Sequence, residues 1–221
     1  MTSAIRGAVF DLDGTLVDNI RFHFEAFRAL AVRLGMAPMD EATFQSFNGL
    51  KNEDIFPRFL GRTLTRAETE ALSDEKEATY RALYAPQLVA HRGATELLAR
   101  LRAAGVKLAV ASSAPPANRK LVLDGLGWNE RFDAVVASEG LRGKPAPDVF
   151  LAAAERLGVA PDACIAFEDA ENGVRAAAAA GMLVVGVTTN VPAAGLAAAG
   201  ARFTIADFVS LPPELDAMLP R

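Results

Sequence analysis

Short apolar runs and longer amphipathic runs alternate through most of this chain. Residues 5–12, 106–111, 134–137, 164–167 and 183–187 are brief, largely apolar and bounded by Gly, Pro, Ser or Asp. That is the pattern of strands buried on both faces of a parallel sheet. Between them apolar positions recur at helical spacing. Leu97, Leu98 and Leu101 mark one helix that ends near Gly105, and Val149, Phe150, Ala153, Ala154 and Leu157 mark another stopped by Gly158. A closing helix starts near Pro213. The alternation predicts an α/β fold with a doubly wound, mostly parallel sheet, Rossmann-like in its winding.

Two segments depart from this rhythm. Residues 176–201 carry no charge and are long enough by count to cross a bilayer. Gly181, Gly186, Pro192, Gly195 and Gly200 interrupt them, so the segment reads as the end of a helix over 172–180, a buried strand, a loop and a short helix, with no membrane span. Residues 18–88 hold one Val (Val32) and two Ile (Ile20, Ile55), yet nine of the sixteen aromatics. Phe22, Ala26, Leu30 and Leu34 lie on one helical face that Gly35 ends. The segment is expected to be an all-helical cap, inserted into an α/β core made of residues 1–17 and 89–221. Such an insert rises beside the carboxyl end of the first strand, where open α/β sheets bind ligands.

Composition narrows the function classes. The 221 residues are 51% hydrophobic and 23% charged, a globular balance, and Lys+Arg 23 against Asp+Glu 27 gives a net charge of −4. No basic cluster invites nucleic acid. A single cysteine, Cys164, can form neither an internal disulfide nor a thiolate cage, which fits a reducing, cytoplasmic setting. The residues before Asp11 are too short an apolar stretch for a signal peptide. No exposed apolar stripe is evident, so a monomer is expected.

The chemistry gathers at strand ends. In Asp11-Leu12-Asp13-Gly14-Thr15 the period of two sends Asp11 and Asp13 to one side, and Gly14 permits a sharp turn after them. Two carboxylates this close need a cation, a shared proton or both. Alone, Asp-x-Asp-Gly is shared with calcium loops and plain turns. Ser112 and Ser113 follow the second strand and are candidate phosphate-oxygen donors, although strand-end serines commonly cap helices. Lys144, between Gly143 and Pro145, can neutralise an anion from a restrained loop. Glu168 and Asp169 end a further strand and, with Asp11 and Asp13, could complete an oxygen shell for a divalent ion.

In this order the four features resemble the motifs of the haloacid dehalogenase superfamily: Asp11-x-Asp13-Gly14-Thr15, Ser112, Lys144 and Glu168-Asp169. The likeness runs from Ala8 to Asp207, and the cap with Asn172-Gly173 points to the subfamily with a small helical cap. The resemblance implies Mg2+ as cofactor and a small phosphorylated metabolite, such as a sugar phosphate, as substrate. It implies that Asp11 attacks phosphorus to form an aspartyl phosphate and that Asp13 serves as acid and then base. The metal would be held by Asp11, the Asp13 carbonyl and Asp169, with Glu168 nearby, while Ser112 and Lys144 would bind the phosphoryl oxygens.

Within that family an acid at Asp13 disfavours dehalogenation, because halide needs no proton to leave. Lys51 and Lys76, the cap lysines, lack the context expected of a Schiff-base residue. A mutase is the nearer alternative, because Asp18-Asn19-x-x-x-His23 is similar to the cap hinge of the family's sugar-phosphate mutases. Against it, Ala114-Pro115-Pro116 replaces polar residues, and Asn48-Gly49-Leu50-Lys51-Asn52 lacks the arginine that grips a second phosphate. Lys51 is only a point charge in its place. Hydrolysis is the expected reaction, with His23, Gly49, Lys51 and Asn52 as cap residues facing substrate. A non-catalytic phosphate or metal binder is the remaining alternative. His91 is expected to be exposed or capping, Cys164 a small buried hydrophobe, and Trp128, Phe44, Phe47, Phe56 and Phe59 packing residues.

Overall fold

The computed structural model describes residues 4–220; Met1–Ser3, part of the stretch judged against a signal peptide, and Arg221 lie outside them. Six strands form one sheet: β1 (Gly7–Phe10), β2 (Lys107–Ser112), β3 (Ala134–Ala137), β4 (Cys164–Glu168), β5 (Leu183–Val187) and β6 (Phe203–Ile205). Their order is β3-β2-β1-β4-β5-β6 and every pairing is parallel, so β1 sits at the centre with β2 and β4 beside it. This is the doubly wound arrangement that the sequence predicts.

The central strands are buried on both faces, which is why they read as unbroken apolar runs. On one face α7 (Asp148–Leu157), α8 (Glu171–Ala179) and α9 (Ala193–Ala199) pack on Val9, Ala109, Ala166 and Val184. On the other, α5 (Ala94–Ala103) and α6 (Pro116–Gly125) cover Phe10, Leu108, Val110 and Phe167, with α10 (Pro213–Met218) closing that side. Phe10 and Phe167 stack at 4.7 Å across the β1–β4 pair.

The uncharged segment resolves into the last turns of α8, then β5, a loop and α9. No helix of the described residues is long and apolar enough to cross a membrane. The strand at Phe203–Ile205 is an addition to the sequence reading; three residues at a sheet edge leave almost no periodic signal.

Between β1 and β2 the chain forms α1 (Ile20–Arg33), α2 (Glu41–Gln45), α3 (Asn52–Leu60) and α4 (Arg66–Tyr84). Phe27, Leu30, Phe44, Phe47 and Phe56 build a cluster of their own, with Phe59 against it. The ends of α1 and α4 nearest the sheet behave differently, since Phe22, Ala26, Tyr80 and Tyr84 join the core cluster of the sheet. One stripe of α1 thus serves two cores in succession.

Candidate active site

Three strands deliver acidic or hydroxyl groups to the carboxyl edge of the sheet. Asp11 extends β1, its N–H donating to Phe167 O at 3.0 Å, so its side chain leaves directly beside the end of β4. The chain then turns back, with Gly14 N donating to Val17 O at 2.8 Å. Gly14 has φ +82°, and a Cβ there would lie 2.1 Å from Asp169 Oδ2. Only glycine satisfies both the turn and the approach of that carboxylate. Thr15 Oγ1 donates to Asp169 Oδ1 at 3.1 Å, so the turn after β1 also fixes the acid that follows β4.

Glu168 ends β4 against the start of α8, where a Cβ on Gly173 would fall 1.7 Å from its Oε1. Its Oε2 accepts from Ala170 N at 2.9 Å. Lys144 reaches in from the loop before α7, after which the chain continues through a cis Lys144–Pro145 bond. Its Nζ donates to Asp11 Oδ1 at 2.6 Å and to Glu168 Oε1 at 2.5 Å. Ser112 closes β2, its Oγ accepting from Ala114 N at 3.0 Å. Asp11, Ser112, Lys144, Glu168 and Asp169 are at most 7% exposed, so these charges act with little screening by water.

Asp11, Glu168 and Asp169 each place a carboxylate oxygen within 4.8 Å of the others, the arrangement and donor chemistry of a divalent cation site. Three buried carboxylates face one ammonium, and the imbalance shows in the acidity of Asp11 and Asp169. Burial drives the Asp11 carboxyl up to about 8; Lys144 opposes this, while Glu168 and Asp13 add to it. Burial raises Asp169 as well, reinforced by Glu168 and Asp11. Burial works against the charge on Lys144, but Asp11 and Glu168 outweigh it and hold the ammonium more firmly than a free lysine. A divalent ion would supply the missing positive charge to this cluster.

Asp13 faces the cap. Asn19 Nδ2 donates to its Oδ1 at 2.5 Å and to Tyr80 OH at 2.6 Å, while Gly14 N donates back to Asn19 Oδ1. His23 stacks on Tyr80 with ring centroids 3.8 Å apart. Lys76 Nζ lies 2.7 Å from His23 Nδ1. An ammonium has no acceptor, so Nδ1 accepts and the ring proton sits on Nε2, 3.9 Å from Asp13 Oδ1. Lys76 also donates to Glu77 Oε1 at 2.9 Å. Burial alone would raise the Glu77 carboxyl; the Lys76 ammonium and the Asn52 amide work against that, and it is brought down to about 2. Asn118 Nδ2 of α6 donates to Glu77 Oε2 at 2.7 Å, tying α4 to the sheet domain's helices.

The cavity between the helical insert and the sheet is walled by Asp11, Asp13, Ser112, Ser113, Lys144, Glu168 and Asp169 at one end. His23, Phe27, Phe44, Phe47, Asn48, Gly49, Asn52 and Lys76 line the other. The Asp, Ser, Lys and Glu residues expected from the four motifs therefore meet at one place, with His23, Gly49 and Asn52 across from them. Lys51 does not join them. Its ammonium is taken by Leu141 O at 2.7 Å and Glu53 at 2.6 Å, and it lines a neighbouring surface groove instead. Phe44 and Phe47 both pack in the insert and face the cavity.

Lys76, set aside as a Schiff-base residue, is buried in an ion pair with Glu77 beside His23. The spacing 76, 77, 80, 84 marks the buried face of α4, which is the signal for its placement. His91 is half-buried at the turn before α5: its backbone oxygen accepts from Ala94 N at 2.9 Å, Nε2 lies 3.1 Å from Ala206 O, and the ring meets Phe208 edge to face. Glu77 and Asn118 were not anticipated, and Thr15, Asn19 and Asn48 appeared in the sequence only as members of motifs. Thr15 meets Asp169 and Glu77 meets Asn118 from distant segments, which no local pattern reveals. Cys164 and Trp128 are buried packing residues.

The haloacid dehalogenase-like hydrolase family matches residues 5–181. The chain belongs to that family and is an enzyme of it. It is 33% identical over 200 residues to β-phosphoglucomutase of Bacillus subtilis, covering 86% of this chain and 87% of that one. It is 34% identical over 194 residues to the validoxylamine A 7′-phosphate phosphatase of Streptomyces hygroscopicus, covering 87% and 90%. Among solved structures, a HAD hydrolase of family IA, variant 3, from Entamoeba histolytica superposes with a TM-score of 0.87 at 25% identity, over 97% of this chain and 99% of that one.

Proposed function

We propose that this chain is a phosphatase, a Mg2+-dependent hydrolase that releases phosphate from a small phosphorylated metabolite of the sugar-phosphate class, through an aspartyl phosphate on Asp11. The observation that carries this reading is the pairing of Asp11 with Lys144 at 2.6 Å inside a carboxylate triad suited to a divalent ion. Asp11, Asp169 and the Asp13 carbonyl would hold Mg2+ with Glu168 nearby, and when bound the ion supplies the positive charge that lets a carboxylate approach a phosphate dianion.

The residues then divide the work. Lys144 and Ser112, with Ser113 beside it, bind the non-bridging oxygens and hold phosphorus in line with Asp11. Asp13 donates a proton to the departing alkoxide oxygen and later takes one from the water that opens the acyl phosphate. Asn19 and His23 hold its carboxyl at the cap side of the cavity, where a leaving group would sit. Residues 1–17 and 89–221 serve as the phosphotransfer core and 18–88 as the cap that excludes water. The setting proposed is the cytoplasm, with the chain acting as a monomer and with neither nucleic acid nor membrane as partner.

A sugar-phosphate mutase is the second reading, favoured by the likeness to β-phosphoglucomutase and by the placement of His23. A mutase must hold a second phosphate, and among the described cavity residues the cap cation, Lys76, is already paired with Glu77. Phosphate release from a panel of phosphorylated metabolites, with Mg2+ and with chelator, tests the proposal. Mg2+-dependent release without a bisphosphate activator supports hydrolysis; isomer interconversion outrunning release establishes the mutase instead.

A further inference from the structure

We propose that Asn48 sets substrate choice, donating its side-chain amide to an uncharged oxygen of the leaving group, so that neutral hydroxylated monophosphates are preferred over esters bearing a second anion. The inference rests on the hydrolase reading above and extends it to the part of the substrate that departs.

Asn48 is a wall residue of the cavity, and its Nδ2 is buried with no hydrogen-bond partner among the described residues. A buried amide N–H without an acceptor is uncommon and costly, and a missing ligand atom is one of the few things that explain it. Asn48 is also held in place. Asn172 Nδ2 donates to its backbone oxygen at 3.1 Å, and Ser113 Oγ donates to the oxygen of Gly49 at 3.4 Å. Gly49 has φ +78°, and a Cβ there would lie 3.4 Å from the Cβ of Ala170, so the loop packs closely on the segment that carries Asp169. The donor is therefore positioned relative to the phosphate end by contacts to the sheet domain, not by the cap alone.

Charge decides what kind of oxygen it serves. The cavity's carboxylates outnumber its ammonium groups, and Lys76 is matched by Glu77 at 2.9 Å. Asn52, the other amide on this loop, is committed to Ser73 and Glu77. A carboxylate or second phosphate on the leaving group would meet Glu77 with no uncommitted cation to offset it. A hydroxyl or ether oxygen meets an amide donor and the apolar walls of Phe44 and Phe47.

The experiment compares kcat/KM of wild type, Asn48→Ala and Asn48→Leu on glucose 1-phosphate, glycerol 3-phosphate, phosphoglycolate, fructose 1,6-bisphosphate and phenyl phosphate. The aryl ester offers no hydroxyl to the cap and reports whether the phosphate end still works. The expected result is a wild-type preference for the neutral hydroxylated esters, which falls roughly tenfold in both variants while turnover of the aryl ester holds. Equal losses on all esters, or none, overturn the role of Asn48, as does a wild-type preference for the carboxylate or bisphosphate substrates. If wild type hydrolyses no ester, including the aryl one, the hydrolase reading itself falls, and this inference with it.

Discussion

Replacing Gly173 by alanine inverts an ordinary expectation. Gly173 lies in α8 without a positive φ, and in a helix the change normally stabilises a protein by about 0.5–1 kcal/mol. Here the new methyl carbon would stand 1.7 Å from Glu168 Oε1 and 2.0 Å from its Cδ, where real Cβ contacts begin near 3.0 Å. The carboxylate would have to withdraw by the difference, 1.3 Å, and its Oε1 is bonded to Lys144 at 2.5 Å. Moving α8 instead is resisted by Val174, Ala176 and Ala177, which are fully buried. Disrupting a buried ion pair costs about 3–5 kcal/mol, so after the helical gain the metal-free protein should lose about 2–4 kcal/mol. For a chain of this size that is a fall in Tm of roughly 5–15 °C. The melt should be repeated in a Glu168→Ala background, where the same methyl enters vacated space and becomes neutral or stabilising. An unchanged or raised Tm for Gly173→Ala in the otherwise intact protein would refute the packing argument, and with it the claim that this glycine exists to seat Glu168.

Further outcomes follow from the same charges. Asp11→Asn should lower phosphate release by at least about 10³-fold with the fold retained, read by phosphate assay and circular dichroism. Without metal, Asp11 binds its proton up to about pH 8, whereas an unfolded carboxyl releases it near 3.8. That contribution to stability is complete below pH 3.8 and fades as pH rises through about 8, with Asp169 adding the same sign. Melts from pH 5 to 8.5 should therefore show Tm falling with pH in chelator and recovering with Mg2+, by about 2.7 kcal/mol at a hundredfold excess over Kd; a metal-free Tm that climbs across this range contradicts the assignment. Glu77, held down at about 2, is charged throughout that range and does not disturb the reading. Lys76→Met leaves Glu77 buried without its cation and should cost about 3–5 kcal/mol in urea unfolding, most of it restored by adding Glu77→Leu.

How much of this was legible beforehand depended on the range of the forces involved. Strands β1, β2, β4 and β5 announced themselves because burial on both faces demands consecutive apolar residues, whereas the edge strand β3 is half-exposed and was legible from its run Ala134-Val135-Val136-Ala137 alone. Asp11, Ser112 and Glu168-Asp169 were legible because each follows such a run, and parallel strands of one doubly wound sheet end along a single edge. The strand Phe203–Ile205 was not, being short enough that pairing with β5, rather than composition, defines it. The same holds for the polar seam. Asn118 looks like an ordinary residue of an amphipathic helix until Glu77, 41 positions away, is placed against it. Lys51 and Lys76 show the limit most clearly: sequence made Lys51 the better candidate, but a backbone carbonyl at Leu141 claimed the first while burial of α4 drew in the second.

That seam also bears on how the helical insert is held against the sheet domain. Glu77 receives hydrogen bonds from Asn52 of the insert and Asn118 of α6, and the loop of Asn48 and Gly49 receives them from Asn172 and Ser113 of the sheet domain. The Asn52 bond lies within the insert, but those of Asn118, Asn172 and Ser113 join insert to sheet domain, so the arrangement in which the two meet is rewarded by polar contacts to the segments that also place Lys76 and His23. Burying polar groups at a seam is worthwhile only when each finds a partner. Here nearly all do, and the exception is the buried Nδ2 of Asn48, a residue that lines the cavity. On the mechanism proposed, the side chains that join insert and sheet domain are also those beside Asp13, so a substrate supplying the last acceptor would favour both the closed arrangement and proton delivery.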